Sequence, residues 1–597
     1  MKMKLSDYVA QKVVELGIEH VFMVTGGGAM HLNQSFGTHA DLECIFNHHE
    51  QACAMAAEAY SRLTNLPALV NVTSGPGCIN ALNGVYGAWT DSISMLVISG
   101  QVKYQTTIRS TGLALRQFGD QEVDIERIAS PLTKYCEMVT DPKSIRYHLE
   151  KAFYLAVSGR PGPCWLDIPI DVQGAQIETD DLSSFDPSEL DEPWNLTDLD
   201  KVSDDIFAKV LSAHRPVIFV GAGVRLSGHH EDFIHFIDKL GIPVVTGWNA
   251  HDSIWSDHPL YVGRPGSVGD RPGNFVVQNA DLLLVLGSRL NIRQVSYNWS
   301  AFASKAYKII VDIDAIEMKK PTVNFNMRIH ANLSDLLPVL AKHNYAGQRP
   351  EHIQWLAWCK ERQKRYPVVL PEYWENEKIN PYCFMDILFK NLDDGQIVVA
   401  ANGSACVIGF QVAQLKPTQR LWTNSGSASM GYEIPAAIGA FKGSGGRPIV
   451  CIAGDGSIMM NLQELQTIAG NQLDIKVFLL NNQGYSSIFQ THRNFFNGVE
   501  VGAGPSSGVN FPDFKKLSYA FDLPYLKCTT HEQMADTIIK TLATTGPAIC
   551  EIMIDENQPF APKLSSKQLA DGTIVSPSLE DMSPILSEAE LNENMLD

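Results

Sequence analysis

Two glycine-bounded strand ends in the last third of the chain carry an acid and an amide at a spacing that could hold a metal ion. The first is Ile452-Ala453-Gly454-Asp455-Gly456-Ser457, and the second is Leu479-Leu480-Asn481-Asn482-Gln483-Gly484-Tyr485. The apolar runs Pro448 to Ala453 and Ile475 to Leu480 read as buried strands. Between them Met459, Met460, Leu462, Leu465 and Ile468 fall at helical spacing. In such a strand–helix–strand unit the carboxyl ends of parallel strands reach one sheet edge, so Asp455 and Asn482 should converge. Carboxylate and amide oxygens suit a hard divalent cation better than they suit zinc. Gly454 and Gly456 would let main-chain N–H groups approach a diphosphate, with a helix N-terminus behind them. Taken alone, Gly-Asp-Gly is also an ordinary strand-to-helix turn. The pairing with Asn-Asn-x-Gly makes the spacing specific.

The elements that must position these groups recur along the chain. His20 to Val24 reads as a strand ending on Thr25-Gly26-Gly27-Gly28, and Leu42 to Asn47 as a second. An alanine-rich helix follows with Glu50 in its first turn, a place where an acid complements the helix dipole. Pro67 to Val72 is a strand running into Thr73-Ser74-Gly75-Pro76-Gly77. That order of helix, proline-led strand and glycine turn returns at Ala440 to Gly456, which suggests two related domains. Between them the runs 216–220, 242–246, 282–286 and 308–313 are strands of a third unit. Gly221-Ala222-Gly223, Gly287-Ser288-Arg289 and Asp312-Ile313-Asp314 lie where a dinucleotide would. The fold expected is α/β, with three doubly wound parallel-sheet domains at residues 1–178, 201–345 and 380–560. Residues 179–200 and 346–379 are expected linkers, and 561–597 a polar tail that Leu579 and Met582 could fold over a site as a lid.

At 597 residues the chain is long enough for three to four domains of ~150 residues. A formal charge of −19 argues against nucleic acid as a partner. Its 11 cysteines include no C-x-x-C pair, which points away from a disulfide framework or structural zinc and toward a reducing compartment. The start runs straight into an amphipathic helix, and no apolar run approaches twenty residues. The expectation is a cytoplasmic protein without a signal peptide or membrane span.

Taken in order, the motifs resemble the acetohydroxyacid (acetolactate) synthase group of thiamine-diphosphate (ThDP) enzymes over nearly the full length. They are Thr25 to Gly28, His49-Glu50-Gln51, Thr73 to Gly77, Ser99-Gly100-Gln101-Val102 and Gln121-Glu122-Val123-Asp124-Ile125. Met430-Gly431-Tyr432-Glu433-Ile434-Pro435, Gly454 to Ser457 and Asn481 to Gly484 follow. The resemblance implies that Glu50 contacts N1′ of the aminopyrimidine across a subunit interface. There it would favour the imino tautomer whose amine takes a proton from the thiazolium carbon. It implies that Met430 wedges between the two cofactor rings, that Asp455, Asn482 and the Gly484 carbonyl bind Mg²⁺, and that Gly403, Ser404 and Ser457 hold the diphosphate, with Tyr485 beside them. Gln101 and Lys134 match residues that handle pyruvate. Gly221, Gly223, Arg289, Arg293, Asp312 and Asp314 resemble segments that line FAD in this group. A homodimer is the minimum assembly, a homotetramer the alternative.

Departures from the group bear on the substrate. Asp120 stands where these synthases have a pocket-limiting phenylalanine, and Thr491 where they have a tryptophan that selects a small second keto acid. Ser404 and Ala405 replace a Gln-His pair. With Gln121, these residues suggest an acceptor pocket for a larger, more polar carbonyl compound than a keto acid. The opening Phe22 to Asn33 and the ending Asp571 to Met582 resemble an offshoot, the yersiniose-type enzymes of surface-polysaccharide pathways. These attach the two-carbon unit of pyruvate to the ketone of a nucleotide-linked deoxysugar. Acetolactate synthesis, simple decarboxylation and a catalytically silent regulatory subunit are the alternatives.

Overall fold

The computed structural model describes residues 1–190, 197–345, 347, 349–568 and 571–596. Three six-stranded, all-parallel sheets dominate it. The N-terminal sheet runs in the spatial order Glu43–Phe46, His20–Met23, Leu69–Val72, Met95–Gln101, Pro163–Pro169, Tyr135–Met138. The C-terminal sheet runs Arg420–Trp422, Ile397–Ala400, Ile449–Gly454, Ile475–Asn481, Ala548–Met553, Tyr525–Cys528. Counted along the chain, both sheets have the order 2-1-3-4-6-5, the structural counterpart of the repeated sequence unit. The central sheet is different: Tyr261–Gly263, Val244–Thr246, Pro216–Val220, Leu282–Leu286, Tyr307–Asp312, Met327–His330. That is the 3-2-1-4-5-6 order of dinucleotide-binding folds.

In each sheet the strand order reverses beside the first strand, and a ligand crevice opens at such a switch point. In the N-terminal sheet it lies between His20–Met23 and Leu69–Val72, beside the Gly26–Gly28 turn and Thr73. In the C-terminal sheet it lies between Ile397–Ala400 and Ile449–Gly454, beside Gly403 and Asp455. In the central sheet it lies between Pro216–Val220 and Leu282–Leu286, beside Gly221 and Gly287. The motif residues are therefore clustered by topology.

The two outer domains meet through the helices Glu50–Thr64 and Glu433–Gly443. Small residues make the close approach possible. A Cβ on Gly439 would overlap the Ala56 carbonyl. A buried tie crosses the contact: the Tyr432 hydroxyl donates to Glu58, whose carboxylate is held within the N-terminal domain by Arg62, itself 2.7 Å from Asp91.

Three segments differ from the sequence expectation. The 346–379 stretch holds the helix Pro350–Arg365, whose Trp355 and Cys359 are one turn apart and buried against the central sheet. The C-terminal segment returns to the central domain. Leu579 and Met582 are buried there, Asn274 donates to the Leu579 carbonyl at 2.8 Å, and Tyr366 and Arg365 engage Glu590. Finally, Ser457 does not open a helix. A single turn, Ile458–Met460, comes first and the helix starts at Glu464, because Asn461 turns its side chain back to donate to the Gly431 carbonyl at 2.8 Å. Part of the 179–200 stretch, residues 191–196, lies outside the described residues, as do 569, 570 and 597.

Candidate active site

Asp455 follows the last residue of Ile449–Gly454, and its carboxylate is wrapped by main-chain donors. Gly456 N donates to Oδ1 at 2.7 Å, while Asn482 N and Gly484 N donate to Oδ2 at 3.1 and 3.2 Å. Burial pushes its pKa up to about 7, opposed by those N–H groups. One end of the Asn482 amide lies 2.6 Å from the Gly484 carbonyl oxygen and 3.3 Å from Asp455 Oδ2. With the amide oxygen turned inward, three acceptors converge with no donor between them, an arrangement that a cation resolves. A carboxylate, an amide and a carbonyl are the donor set Mg²⁺ takes, with positions left for diphosphate oxygens and water. The residues present fit that ion. Among the described residues no three His, Cys, Asp or Glu side chains form an alternative metal cluster.

Around this point the turns are tight. A Cβ on Gly456 would strike the Tyr485 ring, and one on Gly484 would strike Phe489. Gly403, at φ +73°, caps the buried helix Ser404–Val412, and this helix supplies the N-terminus that Ser457 does not. Ser457 accepts from Gly431 N at 2.9 Å and donates to Glu433 at 2.9 Å. Met430, adjoining Gly431, keeps 38% of its surface exposed.

The N-terminal half of the site is built on Glu50, the first residue of its helix. His49 caps that helix by accepting from Gln51 N, and Asn80 donates to Glu50 Oε2 at 3.0 Å. Asn80 comes from the helix Pro76–Asp91, which starts at the glycine turn after Thr73. A Cβ on Gly77 would stand 3.4 Å from Glu50 Oε1. Gly28 N donates to Thr73 Oγ1 at 3.0 Å, and a Cβ on Gly26 would lie 2.5 Å from the Thr73 side chain. These two glycines therefore let one turn pack on the other. Gly27 has open space in front of it. Gly75 adopts φ +63° and abuts the Gln121 carbonyl.

Other residues singled out by sequence have bracing or exposed positions. Gln101 is fully buried, its Nε2 donating to Val123 O at 2.8 Å and Asp167 Oδ2 at 2.9 Å. It braces the 121–124 turn instead of facing a cavity. Lys134 donates to the Ser158 carbonyl at 2.6 Å, and burial lowers its pKa to about 8. Asp120, Gln121 and Thr491 are exposed, the last with its hydroxyl on the Ser487 carbonyl. Glu50 lies after a strand of the N-terminal sheet and Asp455 after one of the C-terminal sheet, and among the described residues no hydrogen bond joins Glu50 to the Asp455 loop.

A separate cleft of about 510 Å³ opens at the switch point of the central sheet. Gly221, Gly223, Arg289 and Asp312 line it, as do Arg160, Trp248 and Asn249, which the sequence alone did not single out. Burial pushes Asp312 up to about 6. Arg293 lies over the Trp248 ring, 4.8 Å from its centroid, and Asp314 accepts from Arg160 at 2.9 Å. Arg160 also reaches Glu317 and Ser92, tying the N-terminal domain to this wall.

Comparison with known proteins gives these parts a common origin. Residues 3–126 match the N-terminal TPP binding domain of thiamine pyrophosphate enzymes, 204–340 their central domain and 401–552 their C-terminal TPP binding domain. The acetolactate synthase large subunit of Cyanidium caldarium is 31% identical over 576 residues, spanning 93% of this chain and 95% of that protein. The chain belongs to the acetolactate synthase-like thiamine pyrophosphate enzymes. The acetolactate synthase large subunit of Lactococcus lactis subsp. lactis (strain IL1403) is 29% identical, covering 95% of this chain and 96% of its own. Isozyme 1 of Escherichia coli (strain K12) is 28% identical, covering 93% and 95%. As a family member the protein is a ThDP-dependent enzyme that forms carbon–carbon bonds. Among the described residues no helix is long and apolar enough to cross a membrane.

Proposed function

We propose that this enzyme decarboxylates pyruvate and transfers the two-carbon unit to a ketone or aldehyde larger than a second keto acid, with a nucleotide-linked 4-keto-deoxysugar as the lead acceptor. Asp455, Asn482 and the Gly484 carbonyl would hold Mg²⁺. Gly403, Ser404, Gly456 and Ser457 would hold the diphosphate, and Met430 the bent ring pair. When bound, ThDP supplies the nucleophilic carbon and the electron sink for loss of CO₂. Glu50, oriented by Asn80, would share a proton with the pyrimidine nitrogen.

The observation that carries the acceptor reading is at the two substituted positions. Asp120 and Thr491 are small or acidic and solvent-facing, so neither closes a pocket as an aromatic ring would. Acetolactate synthesis, the activity in the relatives' names, is the second reading, and the FAD-like segments of the central domain favour it over simple decarboxylation. The deciding experiment is mass spectrometry of products from labelled pyruvate, with and without a nucleotide-4-keto-deoxysugar. A sugar gaining two labelled carbons supports the first reading. Acetolactate in both tubes with the sugar untouched overturns it.

Two further readings rest on the same geometry. The central cleft, at the switch point of a dinucleotide-type sheet and walled by glycine turns and Asp312, suits FAD; flavin absorbance in the purified protein tests this. A homodimer, or a tetramer of two, would bring Glu50 of one chain to Asp455 of another. Ile79, Tyr86 and Trp89 support this, standing exposed along the Pro76–Asp91 helix that also carries Asn80. Light scattering would report the assembly, and a monomer with full activity would refute it.

A further inference from the structure

Glu433 is a fully buried acid that the reaction, as outlined, does not use. It begins the helix Glu433–Gly443, with its Oε2 2.9 Å from Ser457 Oγ. Ser457 Oγ in turn accepts from Gly431 N at 2.9 Å. Its other oxygen, Oε1, is buried without a partner among the described residues. Drawn as an anion, Glu433 would be a buried charge with Ser457 as its side-chain donor, only backbone N–H groups besides, and one orphaned oxygen, which is costly. It would also consume the only hydrogen of the Ser457 hydroxyl.

We propose that Glu433 is a positioning residue which, as a neutral acid, donates to the Ser457 hydroxyl and so turns that hydroxyl's own hydrogen toward the cofactor diphosphate. The inference rests on the ThDP reading of the site. A hydroxyl oxygen has two acceptor positions and one hydrogen. With Gly431 N–H and the Glu433 O–H filling the acceptor positions, the hydrogen is free for an anion. When Glu433 ionises, its proton goes to water and Ser457 turns back to the carboxylate. The diphosphate then loses a donor and faces a buried negative charge instead. The same brace ties Gly431, next to Met430, to the loop of Asp455, so both parts of the cofactor cradle answer to one group.

The surroundings suit a neutral Glu433. Burial pushes its pKa up to about 7, opposed by its own backbone N–H and by Ser457. Titratable groups on the packed elements are engaged elsewhere. Glu58 and Arg62 bind each other, Glu464 holds Asn47 and the His48 N–H, and Lys476 binds Asp474. Cys451 donates to the Glu433 main-chain carbonyl at 3.5 Å, and its thiol is held neutral by burial.

The test is ThDP binding at saturating Mg²⁺, followed by intrinsic fluorescence from pH 6.5 to 8.5, in the unaltered protein and in Glu433→Gln. A glutamine amide donates to Ser457 at every pH. The ratio of the unaltered protein's Kd to the variant's should therefore climb roughly tenfold across the range. Taking the ratio cancels the cofactor's own titration. A flat ratio overturns the proposal. Calorimetry of the unaltered protein at pH 8, in buffers of different ionisation heat, is the second readout and does not depend on the variant folding. Net proton uptake is expected, and its absence would overturn the proposal. If the unaltered protein binds no ThDP at any pH, the cofactor assignment itself falls. If it binds but the ratio stays flat, only the role of Glu433 falls.

Discussion

At the residue scale the site separates into groups that touch the cofactor and groups that hold those groups still. On the proposed function Glu50 belongs to the first set, and its carboxylate accepts from Asn80. Glu50→Gln is expected to cut turnover by ~10²-fold or more while leaving the ThDP Kd within about threefold, because it removes proton transfer and little contact area. Steady-state rates and cofactor titration separate the two. Gln101 falls in the second set. Together with Ser99 it braces Asp167, whose fully buried carboxyl is pushed up to about 7 by burial. A raised carboxyl pKa stabilises the fold fully below the unfolded value near 3.8, and that contribution is lost as pH rises through about 7. The stability advantage of the unaltered protein over Asp167→Asn should thus shrink by ~1.4 kcal/mol per pH unit between pH 5 and 7. Denaturant melts at several pH values would show it; a constant difference would mean that Asp167 is charged throughout.

At the scale of elements, glycines decide which helices can touch. Gly439 lies where its helix crosses Glu50–Thr64, and a Cβ there overlaps the Ala56 carbonyl, a backbone atom that cannot step aside. Gly439→Ala should cost ~1–3 kcal/mol through overpacking and loosen the contact between the outer domains. Gly37, in the helix Met30–Thr38, has nothing within 4 Å of its Cβ position. Gly37→Ala should instead gain ~0.5–1 kcal/mol by lowering the entropy of the unfolded chain. Thermal inactivation of the pair, measured side by side, checks both signs. The two glycines look alike in sequence: each sits in a helical stretch, and only one has a neighbouring backbone behind it. The strand-end glycines were more legible, because a sharp turn after an apolar run restricts what can follow it. The missing helix start at Ser457 was not legible, since Met459, Leu462 and Leu465 keep helical spacing while a long-range bond from Asn461 breaks the helix.

At the scale of the molecule, three parallel-sheet domains are held together by side chains that bridge them. Arg160 pins the N-terminal domain to the wall of the central cleft, and the C-terminal segment straps back over the helices Arg271–Asn279 and Pro350–Arg365. Leu579 is an anchor of that strap, and Leu579→Ala should destabilise by ~2–5 kcal/mol, read as a shortened half-life on heating. A negligible effect would show that the strap rests on its polar ties, such as Gln278 to Glu580.

The sequence alone determined the α/β class, the repeated outer domains and the ThDP family, and it proposed the metal-ligand trio. These depend on short stretches in which strand, glycine and acid must follow one another for the backbone to turn and the oxygens to meet. Only the tertiary structure decided the dinucleotide order of the central sheet, the burial of Gln101, the pairing of Glu50 with Asn80 and the brace from Glu433 to Ser457. The tertiary structure also showed that the polar tail is a strap. Each of these depends on groups from different elements, or on the space between them. No local spacing encodes such a contact, and it exists only once packing has excluded water from around it.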